Sequence, residues 1–231
     1  ELDPTTAEIC RWTHPGAEIL AHPIEQTDIT HGGYDLVIGN VPFSSVAPAA
    51  SDNASRMPLH DYCITRALDA VRPGGIVALI TSRYTLDKVD SAARERWAAS
   101  ADLIAAWRLT SDAHSGYAGT KVVTDVVVFR RRYADETPNS IDFVGLGDVP
   151  VLSVPRYGYA SEPTGATVRM NTAFTGPRPA GFLFGRIDMG GMYSDADFTI
   201  TRERWREVER NGYTLRDEAE IFAMAIAEVP R

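Results

Sequence analysis

The chain has 231 residues, 44% hydrophobic and 23% charged, which suits one globular α/β domain with a core and an appendage. Apolar stretches such as Ile76 to Ile80 and Val122 to Phe129 are strand-sized, no apolar run approaches a membrane span, and Glu1-Leu2-Asp3-Pro4 has no signal-peptide character. A net charge of −8 argues against a uniformly basic nucleic-acid surface, so any grip on phosphate must come from segregated charge or another segment.

Asp3-Pro4 is a helix start, an N-cap followed by proline, and the helix should run through Ile9 and Trp12 to His14-Pro15-Gly16. Glu18 to Ala21 is a short strand candidate, and Tyr34 to Gly39 has a buried-strand pattern. Leu59 to Val71 forms an amphipathic helix with Leu59, Cys63, Ala67 and Val71 on one stripe. Arg72-Pro73-Gly74-Gly75 should break it before Ile76 to Ile80, a strand buried on both sides. A helix over Ser91 to Ser100 precedes strands at Leu103 to Leu109 and Val122 to Arg131. This alternation predicts a mostly parallel sheet with helices on its faces. No internal repeat marks a solenoid.

After Tyr133 prolines and glycines become frequent and strand signals shorten, as in a separate irregular module or a long extension. The division is therefore a core at 1–135 and a C-terminal α+β extension at 136–231, a candidate DNA- or partner-binding module. Within it, Asp195-Ala196-Asp197 makes a turn, and helices are expected over Thr201 to Arg210 and Leu215 to Glu228. The two cysteines, Cys10 and Cys63, read as reduced, buried thiols of a cytoplasmic protein. His14, His22 and His31 lack the Cys or Glu that would complete a metal set. Arg94 with Arg96, and Arg130 to Arg132, are local basic clusters, either for nucleic acid or as a solvated helix face and strand end.

The stretch Asp35-Leu36-Val37-Ile38-Gly39-Asn40-Val41-Pro42-Phe43 carries the chemistry. Methyl transfer to an exocyclic amino nitrogen must overcome delocalisation of the nitrogen lone pair into the ring. Acceptors aimed at the amino hydrogens favour the reactive, pyramidal nitrogen as charge develops. Asn40 offers a side-chain carbonyl and Val41 a backbone carbonyl, while Pro42 stiffens the turn. Phe43 offers a flat face for an extruded base.

This tetrapeptide resembles the Asn-Pro-Pro-Tyr/Phe signature of amino-methyltransferases, with Val41 in place of the first proline. Downstream, His60-Asp61-Tyr62, Leu68 through Gly75, Ile80-Thr81-Ser82-Arg83, Thr85 to Lys88 and Gly119 to Asp125 are similar to N6-adenine DNA methyltransferase domains in large bacterial, phage or plasmid proteins. Those domains are often joined to helicases. The resemblance spans roughly residues 1 to 132, and more weakly Met170 to Thr201.

It implies a Rossmann-like S-adenosylmethionine-dependent methyltransferase sheet, partial because the first strand would precede Glu1. S-adenosylmethionine would be the cofactor, and DNA the partner, with a helicase domain or subunit in the same system. Glu1 would hold the cofactor ribose, and Glu25 or Asp28 would meet its adenine. Ser82 and Arg83 either line the target pocket or form a helix-capping turn.

The family's Gly-rich loop has no place in the sequence, since Gly185 to Gly191 lacks the pattern. The chain is accordingly expected to be a fragment that binds cofactor poorly alone, or a methyltransferase-like interaction module that has become inert. Other enzymatic readings of the tetrapeptide are methylation of an RNA base or of protein glutamine.

Overall fold

The computed structural model describes residues 1–119, 121–152, 162–176, 180–190, 197–201 and 226–227. Helix α1 (Pro4–Thr13) begins as the sequence dictates, with the Asp3 carboxylate accepting the Thr6 N–H at 2.7 Å. Only Ala7 of α1 is buried, and Ile9 and Trp12 are exposed. The expected strand at Glu18 to Ala21 does not form: this stretch is irregular, and the Ile19 carbonyl accepts from Arg11. A 3-10 turn at Ile24–Gln26 leads to β1 (Tyr34–Asn40).

Helix α2 (Leu59–Ala70) runs directly into β2 (Val71–Ser82). Arg72 to Gly75 do not break the chain as expected. They form a bulge inside β2, where the register against β1 jumps from Tyr34↔Val71 to Leu36↔Ile76. Gly74 has a φ of +78°, and a Cβ there would lie 2.7 Å from the Tyr133 hydroxyl. The residue must therefore be glycine both for its conformation and for its space. Nor is Ile76 to Ile80 buried equally on both sides. Val77 and Leu79 are buried, and the alternate residues are half-buried.

Next come α3 (Tyr84–Asp87), α4 (Ala92–Ala98), β3 (Ala101–Arg108), α5 (Ser115–Ala118) and β4 (Thr124–Arg131). The later elements are β5 (Leu146–Leu152), β6 (Pro163–Asn171), α6 (Thr172–Thr175), β7 (Gly181–Leu183), β8 (Arg186–Met189) and β9 (Phe198–Thr201). The central sheet has the order β1-β2-β4-β3-β7. Pairs β1–β2 and β3–β7 are parallel, whereas β4 is antiparallel to both of its neighbours. Every strand but β4 thus points the same way, giving a mostly parallel α/β sheet. β5–β6 and β8–β9 form separate two-stranded ladders.

The main core joins α2 residues Tyr62, Ile64 and Leu68 to Val77, Leu79, Trp97, Leu103, Val127 and Phe129 of the sheet and α4. Phe143 and Ala173 belong to the same core, and β7 adds to the same sheet. Among the described residues beyond 135, Phe143, Ala173 and β7 thus pack on or pair with the core, as a long extension would. Cys63 is buried as expected, but Cys10 is only partly so. Among the described residues, no helix is long and apolar enough to cross a membrane. Most of the two expected C-terminal helices lies outside the described residues, as do Asp195 and Ala196.

Candidate active site

Because β1 and β2 are parallel, Asn40 and Ser82 emerge at one edge of the sheet. The antiparallel β4 begins there at Thr124, which pairs with Ser82. This carboxyl edge is where open α/β sheets hold ligands.

Beyond Asn40 the ladder continues for one bond, from Val41 N–H to the Ile80 carbonyl at 3.0 Å. Val41 sends its side chain into the core, 7% exposed. A buried anchor thus sits between exposed residues: Asn40 and Pro42 face outward, and the Phe43 ring remains 43% exposed. Substituting valine for a proline at position 41 supplies this ladder N–H, which proline lacks. After Phe43 the chain turns tightly, with Ser44 N–H bonded to the Pro42 carbonyl at 3.1 Å. It then docks on the start of α2: His60 Nδ1 reaches the Ser44 carbonyl at 3.0 Å, and Leu59 N–H the Val46 carbonyl at 2.9 Å.

The three candidate cofactor acids sit in different settings. Glu1 is exposed at the start of α1, with Oε1 accepting the Asp3 N–H at 2.9 Å. Glu25 is half-buried in the 3-10 turn, and its charge acts on Tyr62 and Cys63 of α2. Asp28 is exposed. As donor-set chemistry, exposed Glu1 and half-buried Glu25 fit the hydroxyls and amino group of a nucleoside. α2 organises this side. Arg66 bonds the Thr27 carbonyl at 2.6 Å and Asp52 at 2.9 Å, and Tyr62 donates to Asp52 at 2.9 Å.

Ser82 and Arg83 are both buried. Ser82 Oγ accepts the Tyr84 N–H at 3.4 Å, a turn at the start of α3. Arg83 is stacked between the rings of Tyr84 and Phe198, each 4.2 Å from its guanidinium carbon. It pairs with Asp197 and, at 3.4 Å, with Asp87. Hydrogen bonds from Tyr84 and Phe198 together with the Arg83 charge overcome the upward push of burial and hold Asp197 below the usual carboxylate range. Arg83 still lines a small recess with Tyr84, Lys121 and Phe198.

Beneath this edge lies a buried ion network that sequence inspection does not single out. Arg108, with 0% exposure, makes a bidentate pair with Asp125 at 2.8 Å on both oxygens and bonds Asp87 at 2.7 Å. Burial pulls Arg108 down, but the carboxylates of Asp125 and Asp87 outweigh it and raise it above the ordinary arginine value. Asp87 also accepts the Asn171 N–H at 3.0 Å, and the Asn171 side chain ties the Leu86 and Phe143 carbonyls together. The available signal was an arginine closing one apolar strand and an aspartate opening another, cross-strand partners in the sheet.

The basic clusters are largely spent inside the fold. Arg94 is 1% exposed and bonds the Val144 and Asp90 carbonyls. Arg130 pairs with Glu136 and Asp102, Arg131 binds the Asp69 and Val71 carbonyls, and Arg132 binds Asp102 and two further carbonyls. Arg96 alone of these faces solvent.

No family model matches the chain. It is 28% identical over 144 residues to "Defense against restriction protein B" of Escherichia phage P1, an alignment covering 58% of this chain and 6% of that protein. The chain thus spans only a small part of that relative's length. Among solved structures it is similar to the methyltransferase subunit of a type I restriction-modification system from Streptococcus thermophilus. That match has a TM-score of 0.49 and 14% identity, over 58% of this chain and 33% of the other. It is also similar to the M protein of the type I restriction enzyme EcoKI, with a TM-score of 0.47 and 12% identity, over 99% of this chain and 56% of that one.

Proposed function

We propose that this chain forms part of an S-adenosylmethionine-dependent methyltransferase acting on the N6 amino group of adenine in DNA. The observation that carries the reading is the form of the Asn40–Phe43 loop. A buried, ladder-bonded Val41 holds an exposed amide and an exposed aromatic ring at the carboxyl edge of the sheet. The Asn40 side-chain carbonyl and the Val41 backbone carbonyl accept the two amino hydrogens of the target base, and the Phe43 ring stacks on its face. As the nitrogen–carbon bond forms, the sulfur–methyl bond of the donor would break to leave a neutral thioether, and one amino proton, made acidic by the charge on nitrogen, would pass to solvent. When bound, S-adenosylmethionine would supply an electrophilic methyl group, with Glu1 holding its ribose and Glu25 or Asp28 its adenine. Positioning then supplies most of the rate.

The name of the phage relative, defence against restriction, supports DNA as target over an RNA base or protein glutamine. With Arg83, Arg94, Arg108 and Arg130 to Arg132 committed internally, the phosphate grip falls to other segments or partners. The test is nucleoside mass spectrometry of DNA from cells expressing the full-length parent protein or its Asn40→Ala variant. N6-methyladenine only with intact Asn40 is the expected result, with cofactor affinity nearly unchanged between the two. Its absence from both, with folded protein present, would overturn the DNA reading and leave RNA methylation and the inert interaction module as the successors.

A further inference from the structure

The geometry points to His60 as a positioning residue for the Asn40–Phe43 loop, acting through its bond to the Ser44 carbonyl. This inference rests on the methyl-transfer reading of that loop. The exposed ring of Phe43 lies between two backbone ties, the Val41 N–H on Ile80 and the Ser44 carbonyl on His60. The first belongs to the sheet. The second depends on one side chain on the first turn of α2.

A carbonyl only accepts, so Nδ1 of His60 carries the hydrogen and donates. The other nitrogen, Nε2, is buried and finds no hydrogen bond among the described residues; it faces Asp61 Oδ1 at 3.4 Å, which likewise finds none among them. The second oxygen of Asp61 is paired with Lys88 Nζ at 3.2 Å, just beyond α3. His60 is 9% exposed and Asp61 1%. Burying an imidazole against a carboxylate is costly, and an apolar residue would fill the same space without that cost. What the imidazole alone adds here is a directed donor to the loop.

His60→Asn and His60→Gln separate this role from simple packing. Asparagine places its amide nitrogen where Nδ1 lies, while glutamine reaches toward the Nε2 position and loses the donor to Ser44. Amide hydrogen exchange across residues 41–46 should stay near wild type in His60→Asn and quicken about tenfold in His60→Gln. The methyl-transfer rate should fall about 10- to 100-fold in His60→Gln, with cofactor affinity unchanged, and stay within about threefold in His60→Asn. Equal exchange behaviour of the two variants, or acceleration that spreads to β4, would overturn the positioning role. If exchange divides as expected but no version of the protein, wild type included, methylates DNA, the tether stands and the methyl-transfer reading is what fails.

Discussion

Replacing Arg108 with methionine tests how the carboxyl edge of the sheet is held. The substitution keeps much of the side-chain volume and removes the charge from a site with 0% exposure. Its effect falls unequally on the two acids. Asp87 retains the Asn171 N–H at 3.0 Å and Arg83 at 3.4 Å. Asp125, fully buried, loses the donors to both of its oxygens. Burial already pushes Asp125 upward against the pull of Arg108, so the bare carboxylate is the unstable element. Removing one partner of such a pair costs about 3–5 kcal/mol. Urea unfolding followed by tryptophan fluorescence should show that loss as a lower midpoint with an unchanged slope. Adding Asp125→Asn should recover about 1–2 kcal/mol, because a buried amide is less costly than a buried charge. A loss below about 1 kcal/mol in the single variant would refute the reasoning, since that is the ordinary effect of any substitution. Failure of the second change to recover stability would refute it as well.

Tyr62 sets an alkaline limit. Burial, then its bond to Asp52, pushes its hydroxyl up to about 12, against about 10 in the unfolded chain. With the folded value raised, the contribution is complete below pH ~10 and is lost as pH rises toward ~12. Urea midpoints at pH 9 and 11.5 should therefore fall further for wild type than for Tyr62→Phe; parallel losses would discount the hydroxyl. Cys63 should resist modification. Burial and the Glu25 charge push its thiol up to about 11. Iodoacetamide at pH 8, read by mass spectrometry, should label it about a hundredfold more slowly than a free thiol, with the less buried Cys10 as internal comparison. Equal labelling would show that α2 opens readily.

The elements with strong periodicity were legible in the sequence. Tyr34–Asn40 and Leu59–Ala70 stand within a residue of where the patterns put them, but Tyr34–Asn40, expected to be buried, is exposed at every position except the half-buried Val37. Arg72 to Gly75 misled because proline and glycine signal a break locally, whereas pairing with β1 on either side carries the strand through as a bulge. Glu18 to Ala21 has a strand-like composition but gains no ladder partner among the described residues. The exposed part of the site, Asn40 to Phe43, could be read because its chemistry lies in consecutive residues. The ion network could not, because Asp87, Arg108, Asp125 and Asn171 meet only through the fold. His60 sits in plain view on a helix, but its partner Ser44 becomes a neighbour only when the loop folds back.

The reversed direction of β4 has a consequence for how the chain reaches its fold. β4 fills a central seat in the sheet, bonded along both edges, yet it follows both of its neighbours in sequence. As the chain is synthesised, β2 and β3 emerge first with no shared partner, each carrying an open, apolar edge. Ile76 must wait for Arg130 before that part of the sheet can close. Long-range pairing of this kind is slow, and unpaired edges invite association with other chains. A nascent chain halted before residue 124 therefore holds most of the core's apolar residues but lacks the strand that seals them, and this interval is when the protein most needs protection from aggregation.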